Sequence, residues 1–202
     1  MRILVLGSMQ NNCYIITDEA SGETAVIDPG EFSAELEELG AKGVKYILLT
    51  HGHFDHIGGV DELRELTGAQ VAVSKADALL MKDSSINGGR LFSAKSGVCA
   101  EPDLILNDGD IITLGQLKIK VIATPGHTAG GLCFLCEGSL FSGDTLFYHE
   151  CGRWDFATGS QEQMLESLKL LSKLPPETKV YPGHDIESTI GEERLHNPYI
   201  NR

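Results

Sequence analysis

The stretch Thr50-His51-Gly52-His53-Phe54-Asp55-His56 sets three imidazoles and a carboxylate within six residues, directly after the apolar run Tyr46-Ile47-Leu48-Leu49. That juncture narrows the folds open to the chain. A buried strand has to end there, and the loop that follows has to bring metal-type ligands to the edge of a sheet. Two histidines two residues apart point the same way when the backbone stays extended, so His51 and His53 are placed to grip one ion. Asp55 and His56, after a turn, face a second ion beside it. A lone histidine in such a loop reads as a surface residue; four ligand types from six consecutive positions read as a metal site.

The rest of the chain is consistent with a globular enzyme built around that loop. At 202 residues it is long enough for one substantial core, and a single domain spanning 1–202 is expected, with no internal repeat, low-complexity tract or linker. A formal net charge of −13 argues against a general affinity for nucleic acid or anionic membrane. No apolar run approaches the roughly 20 residues a membrane helix needs. The opening Met1-Arg2-Ile3-Leu4-Val5-Leu6-Gly7 reads as a strand rather than a signal peptide, and five cysteines, an odd number, read as reduced thiols. A cytoplasmic location is the expectation.

Short β-branched runs at 3–6, 13–17 and 24–27 predict an opening series of antiparallel strands, closed by Asp28-Pro29-Gly30. Ser33 predicts a helix cap, Val44 to Leu49 a strand buried on both faces, and Val60 to Leu66 a helix ended by Gly68. Further strands are expected at 71–73 and 179–181, a short helix at 75–81, and hairpins about Gly115-Gln116 and Glu137-Gly138. Ser160 to Gln163 is a capping box ahead of an amphipathic helix, and Ser188 to His196 predicts a terminal helix. Lys82 to Cys99 is polar and reads as a loop, either at a substrate entrance or simply on the surface. Two β-rich blocks, each finishing in helices, predict two packed sheets covered outside by helices.

Three more candidate ligands share one local grammar. His127 in Pro125-Gly126-His127, Asp144 in Ser142-Gly143-Asp144 and His184 in Pro182-Gly183-His184 each follow a predicted strand and a glycine, which lets the next side chain swing over the sheet edge. Imidazole and carboxylate donors suit zinc, iron or manganese, and the lack of thiolate ligands removes the softness argument for zinc alone. Asp28, at a strand end, is either a carboxylate that holds a ligand loop or a plain turn residue. Cys133 and Cys136, three apart on a predicted strand, face opposite sides and read as core fillers. His149 and His196 lack the strand-glycine setting and read as surface or packing residues. Trp154 and Phe147 are open to two readings, a substrate wall or ordinary packing.

The order His51-x-His53-x-Asp55-His56, His127, Asp144, His184 resembles the metallo-β-lactamase superfamily along nearly the whole chain. The resemblance implies an α+β fold, the four-layer αββα sandwich. It implies His51, His53 and His127 on one metal, Asp55, His56 and His184 on a second, and Asp144 bridging both. Asp55 would also orient the hydroxide shared by the two divalent ions, zinc first among them. β-Lactamases of the common class carry Cys where this chain has Asp144, which disfavours antibiotic hydrolysis. Gly143-Asp144-Thr145-Leu146-Phe147 followed by Cys151-Gly152-Arg153 looks like the glyoxalase II group, which hydrolyses hydroxyacylglutathione thioesters, with Arg153 as its basic catalytic-site residue. The aromatic contacts expected after that residue and after the last histidine are replaced by Asp155 and Ile186. Gly152-Arg153-Trp154-Asp155-Phe156 also resembles persulfide dioxygenases with one iron. A thioester-cleaving dinuclear hydrolase acting on a small acyl thioester is therefore expected, with an iron dioxygenase and a metal-stabilised binding module as the alternatives.

Overall fold

In the computed structural model, which describes residues 1–92 and 98–200, two six-stranded sheets lie face to face. The first is assembled from β1 (Arg2–Leu6), β2 (Asn11–Thr17), β3 (Thr24–Ile27), β4 (Tyr46–Leu48), β5 (Gln70–Ser74) and β6 (Leu104–Leu106), in that spatial order. Its first three strands are antiparallel, and from β3 onward the pairing is parallel. Parallel neighbours need crossovers, and helices supply them: α1 (Ala34–Gly40) before β4, then α2 (Phe54–Ile57) and α3 (Val60–Thr67) before β5, with α4 (Lys75–Leu80) after it.

The second sheet contains β7 (Ile111–Leu114), β8 (Leu117–Ala123), β9 (Leu132–Cys136), β10 (Ser139–Gly143), β13 (Lys179–Pro182) and β14 (Ser188–Thr189), ordered β14-β13-β10-β9-β8-β7. Between β10 and β13 the chain makes a small ribbon, β11 (Leu146–Phe147) with β12 (Glu150–Cys151), and then α5 (Gln161–Leu171). Parallel β10 and β13 are joined by that α5 crossover. The terminal helix α6 spans Ile190–His196; its expected first two residues instead pair with β13 as β14, because Thr189 is the N-cap and accepts from the Glu192 N–H.

Alternation along each strand divides the apolar residues into three layers. Tyr14, Ile27, Leu48, Phe134, Phe141 and Tyr181 fill the space between the sheets. Val26, Ile47 and Val71 on the outer face of the first sheet meet Leu36, Val60 and Leu63 of its helices. Ile122, Cys133, Leu140 and Val180 on the outer face of the second meet Met164, Leu168 and Ile190. The result is the four-layer αββα arrangement expected from the sequence. Cys136 lies in the inter-sheet layer and Cys133 in the outer one, as strand alternation requires. The 82–99 loop lies against the ligand loop: the Phe54 N–H donates to Asn87 O at 3.1 Å and Phe92 stacks on Phe54 at 5.1 Å. Its 93–97 portion lies outside the described residues.

Candidate metal centre

All seven ligands expected from the sequence converge at one edge of the sandwich, where β4, β8, β10 and β13 end. His51 to His56 follow β4, and α2 turns Asp55 and His56 away from the direction of His51 and His53. His127 follows β8, Asp144 follows β10, and His184 follows β13. Gly183 has no room for a side chain: a Cβ there would strike Asp144 Oδ1 and come within 2.7 Å of His56 Cε1. Asn12 and Tyr14 clamp that last loop. The Tyr14 hydroxyl donates to Pro182 O at 2.6 Å, and Asn12 Nδ2 donates to Pro182 O and Asp185 O at 3.1 and 2.9 Å.

Among the described residues three donor groups result, of which one, Asp28 with His51 and His56, has its carboxylate occupied by hydrogen bonds to Thr50 and His56, leaving two. One donor atom from each of His51, His53 and His127 lies within 4.8 Å of the others, and the same holds for Asp55, His56 and His184. In the first group His53 Nδ1 is 2.8 Å from His127 Nε2. In the second, Asp55 Oδ2 is 3.4 Å from His184 Nε2. Asp144 stands between them, Oδ1 at 3.4 Å from His56 Nε2 and Oδ2 at 3.5 and 3.8 Å from the Nε2 atoms of His127 and His184.

Neighbouring groups fix which ring nitrogens face inward. His127 Nδ1–H donates to the Arg153 carbonyl at 2.7 Å, leaving Nε2 with its lone pair. Asp28 accepts the Thr50 N–H at 2.8 Å, the Thr50 hydroxyl at 2.5 Å and His56 Nδ1–H at 3.0 Å. Since the Thr50 hydroxyl gives its proton to Asp28, its oxygen is the acceptor for His51 Nδ1–H at 3.1 Å. His51 Nε2 is thereby left as an acceptor, whereas for His56 burial is outweighed by Asp144 and Asp28, which hold the ring above its usual pKa, so a metal ion at Nε2 has a proton to displace. Asp28 is thus the loop-holding carboxylate of the two alternatives. Asn11 lies 2.9 Å from His56 Nδ1; nothing in the sequence pattern singles it out, nor Thr50, Asn12 and Tyr14, as site residues.

The electrostatics favour cation capture. Burial, with the neighbouring imidazoles, drives His51 well below its usual pKa, and burial with His127 pushes His53 down to about 3, so both are neutral donors. Burial opposes ionisation of Asp144, but the His56, His127 and His51 rings overcome it and hold the carboxyl below the usual range. Asp55 is likewise lowered, burial being outweighed by His184 and His56. Two buried polar atoms in the middle of this cluster, His51 Nε2 and Asp144 Oδ1, have no hydrogen-bond partner. An orphaned buried acceptor costs roughly 1–3 kcal/mol, and a cation between two such acceptors removes that cost. The donor set fits divalent metal ions.

Arg153, the basic residue that the glyoxalase II resemblance singles out, is paired with Asp155. Its side chain is exposed and outside the cluster, bound to Asp155 by two hydrogen bonds of 2.9 and 2.7 Å and laid over Phe156 at 4.7 Å. What it contributes to the donor cluster is its backbone carbonyl. Phe156 lines the mouth, 5.2 and 5.4 Å from the His53 and His127 rings, and Phe147 faces His184 at 6.4 Å. Trp154 turns inward onto Tyr199 and is a packing residue. His149 hydrogen-bonds Glu192 at 2.8 Å and stacks on Tyr148, a setting separate from the seven ligands.

The family model described as the metallo-beta-lactamase superfamily matches residues 6–184. A hydroxyacylglutathione hydrolase of Pelagibacter ubique is 37% identical over 190 residues, which cover 92% of this chain and 71% of that protein. The crystal structure of BLEG-1, a B3 metallo-beta-lactamase, matches with a TM-score of 0.88 at 33% identity, covering 100% of this chain and 99% of that one. A protein crystallised in a di-iron-bound form matches with a TM-score of 0.89 at 32% identity, covering 98% and 100%.

Proposed function

Because this chain belongs to the metallo-β-lactamase superfamily, we propose that it is a dinuclear metal-dependent hydrolase cleaving a small acyl thioester. The observation that carries the reading is the convergence of seven donors around two buried, unpartnered acceptor atoms. His51, His53 and His127 would hold one divalent ion, Asp55, His56 and His184 the other, and Asp144 both. The ions, zinc first with iron and manganese also suited, would acidify a shared water and polarise the thioester carbonyl. Asp55, held ionised, is the acceptor able to orient that water by its proton. Water adds to the acyl carbon, the C–S bond breaks, and the sulfur departs as a thiolate that needs no strong acid, since thiols titrate near 8.5. The products are a carboxylate and a thiol.

The similar hydroxyacylglutathione hydrolase supports a thioester as substrate. Arg153 is the side chain proposed to meet the substrate there, once released from Asp155. Residues 1–202 would act as one catalytic domain, on a small molecule rather than nucleic acid. Among the described residues no helix is long and apolar enough to cross a membrane; a cytoplasmic location is part of the proposal.

A second reading, a persulfide dioxygenase with one iron, is supported by the Gly152–Phe156 stretch, which resembles that group. The test measures metal per chain in protein purified without added metal, then assays a panel of acyl thioesters, a β-lactam, and oxygen uptake with glutathione persulfide. Two metals per chain and thioester turnover are expected. Hydrolysis of the β-lactam alone, or oxygen uptake by a one-iron protein, would replace the thioesterase reading.

A further inference from the structure

A second buried carboxylate, Asp77, stands behind the site. It lies in the first turn of α4, 1% exposed, its own N–H capped by Ser74 Oγ at 3.2 Å. The side chain turns out of the helix into the junction between two ligand loops. Its Oδ2 accepts the N–H of Gly52, the residue between His51 and His53, at 2.8 Å, and the hydroxyl of Thr128, the residue after His127, also at 2.8 Å. The loop after His127 is pressed onto the same group: a Cβ on Gly130 would strike both Ser74 Oγ and Asp77 Oδ1. The three imidazoles of the first donor group therefore come from two loops that are joined through one carboxylate.

We propose that Asp77 is the positioning residue of the His51–His53–His127 half of the centre, setting the spacing of its two loops and hence the affinity of the first metal alone. It touches none of the imidazoles and none of Asp55, His56, Asp144 or His184, so its reach is one-sided. The inference rests on the seven donors holding metal. A carboxylate is required rather than an amide. Asn can set its single amide oxygen before Gly52 and Thr128 only by turning its NH2 toward the Gly130 backbone, which also presents a donor. Two donors then oppose each other in a buried space.

The experiment titrates metal into the metal-stripped full chain and resolves the two binding steps, using Co2+ and its absorption spectrum to identify the site filled. For Asp77→Asn, the first half is expected to weaken about 10–100-fold, the loss seen when a group orienting a metal ligand is removed, while the second half stays within about threefold of wild type. Thr128→Val should weaken the first half in the same sense, and Thr128→Ser, which keeps the hydroxyl, should restore it. These two carry the test if Asp77→Asn does not fold. Equal weakening of both halves, or no change in either, in a folded variant overturns the proposal and assigns Asp77 to the fold alone. A wild-type protein that binds no metal would instead overturn the metal reading on which it rests.

Discussion

Replacing Asp28 by Asn tests whether proton placement behind the site governs metal binding. Asp28 is 1% exposed, sits at φ 51°, and accepts three hydrogen bonds, from the Thr50 N–H, the Thr50 hydroxyl and His56 Nδ1–H. Asn tolerates the left-handed backbone, so the main chain is not strained. Its oxygen can still accept the Thr50 N–H, but its NH2 then faces the other two partners. His56 Nδ1 must become an acceptor, which moves the ring proton to Nε2 and blocks the atom that faces Asp144. The Thr50 oxygen now accepts from the amide and turns its proton to His51 Nδ1, which blocks His51 Nε2 in the same way. Hydrogen bonds to a charged group contribute about 1.5–3 kcal/mol each, and two are weakened, so roughly 2–4 kcal/mol of metal-free stability should be lost in urea unfolding. Metal affinity should fall about 10–100-fold in both halves, about 1.4–2.7 kcal/mol per ion. Thr50→Val separates the two routes, weakening only the half that contains His51. The readout is the same two-step metal titration. A folded Asp28→Asn protein that loses stability but binds both metals as wild type does refutes the proton relay.

Asp155→Ala should free Arg153 for an anionic substrate: the pair is exposed and weak, so kcat/KM for an acyl-glutathione should rise only modestly, roughly two- to fivefold, while that for a neutral acyl thioester of the same acyl group stays level. No change would remove Arg153 from substrate binding. Phe134→Ala, at a fully buried position between the sheets, should cost about 3–5 kcal/mol in urea unfolding without altering metal stoichiometry. Stability of the metal-free protein should fall as pH drops below 6.5. His53 is held neutral down to about 3, whereas the unfolded imidazole titrates near 6.5, so the unfolded state binds more protons throughout that window. His53 alone should remove about 2 kcal/mol between pH 6.5 and 5, and His51 acts in the same sense. Burial lowers His56 and His184, but Asp144 with Asp28 for the first and Asp55 with Asp144 for the second outweigh it and raise both. Their stability is lost as pH rises through the folded values, so they offset part of the fall down to about pH 5.5 and none of it below. Flat stability from about pH 5.5 to 4.5, where the raised imidazoles no longer contribute a slope, would refute this assignment.

What is legible in the sequence, and what is not, divides by the distance over which the information is held. The seven candidate donors are readable because they follow strand ends within a few residues, four after β4 and one each after β8, β10 and β13, and a strand's end is a local property. The two-sheet sandwich is readable for the same reason, as two blocks of alternating residues. Strands β6, β11 and β12 escape a sequence reading because at two or three residues they are too short to show a period; they exist as pairings to neighbouring strands. The terminal helix starts two residues later than the sequence suggests because Ser188 and Thr189 are good caps in isolation, and only the presence of β13 makes them a strand. The carboxylates behind the site show the limit most sharply. Asp28 reads either as a carboxylate that holds a ligand loop or as a turn residue, with nothing local to decide between them, and Asp77 is only one residue of a short predicted helix. Their second roles arise because Thr50 is 22 residues from Asp28 and Thr128 is 51 from Asp77, contacts made only when the loops close on the finished edge of the sandwich. Ligand identity is thus written at each strand's end, whereas ligand basicity is set by contacts between segments far apart in sequence. Proteins with the same seven donors can therefore differ in metal affinity through residues that no ligand motif contains.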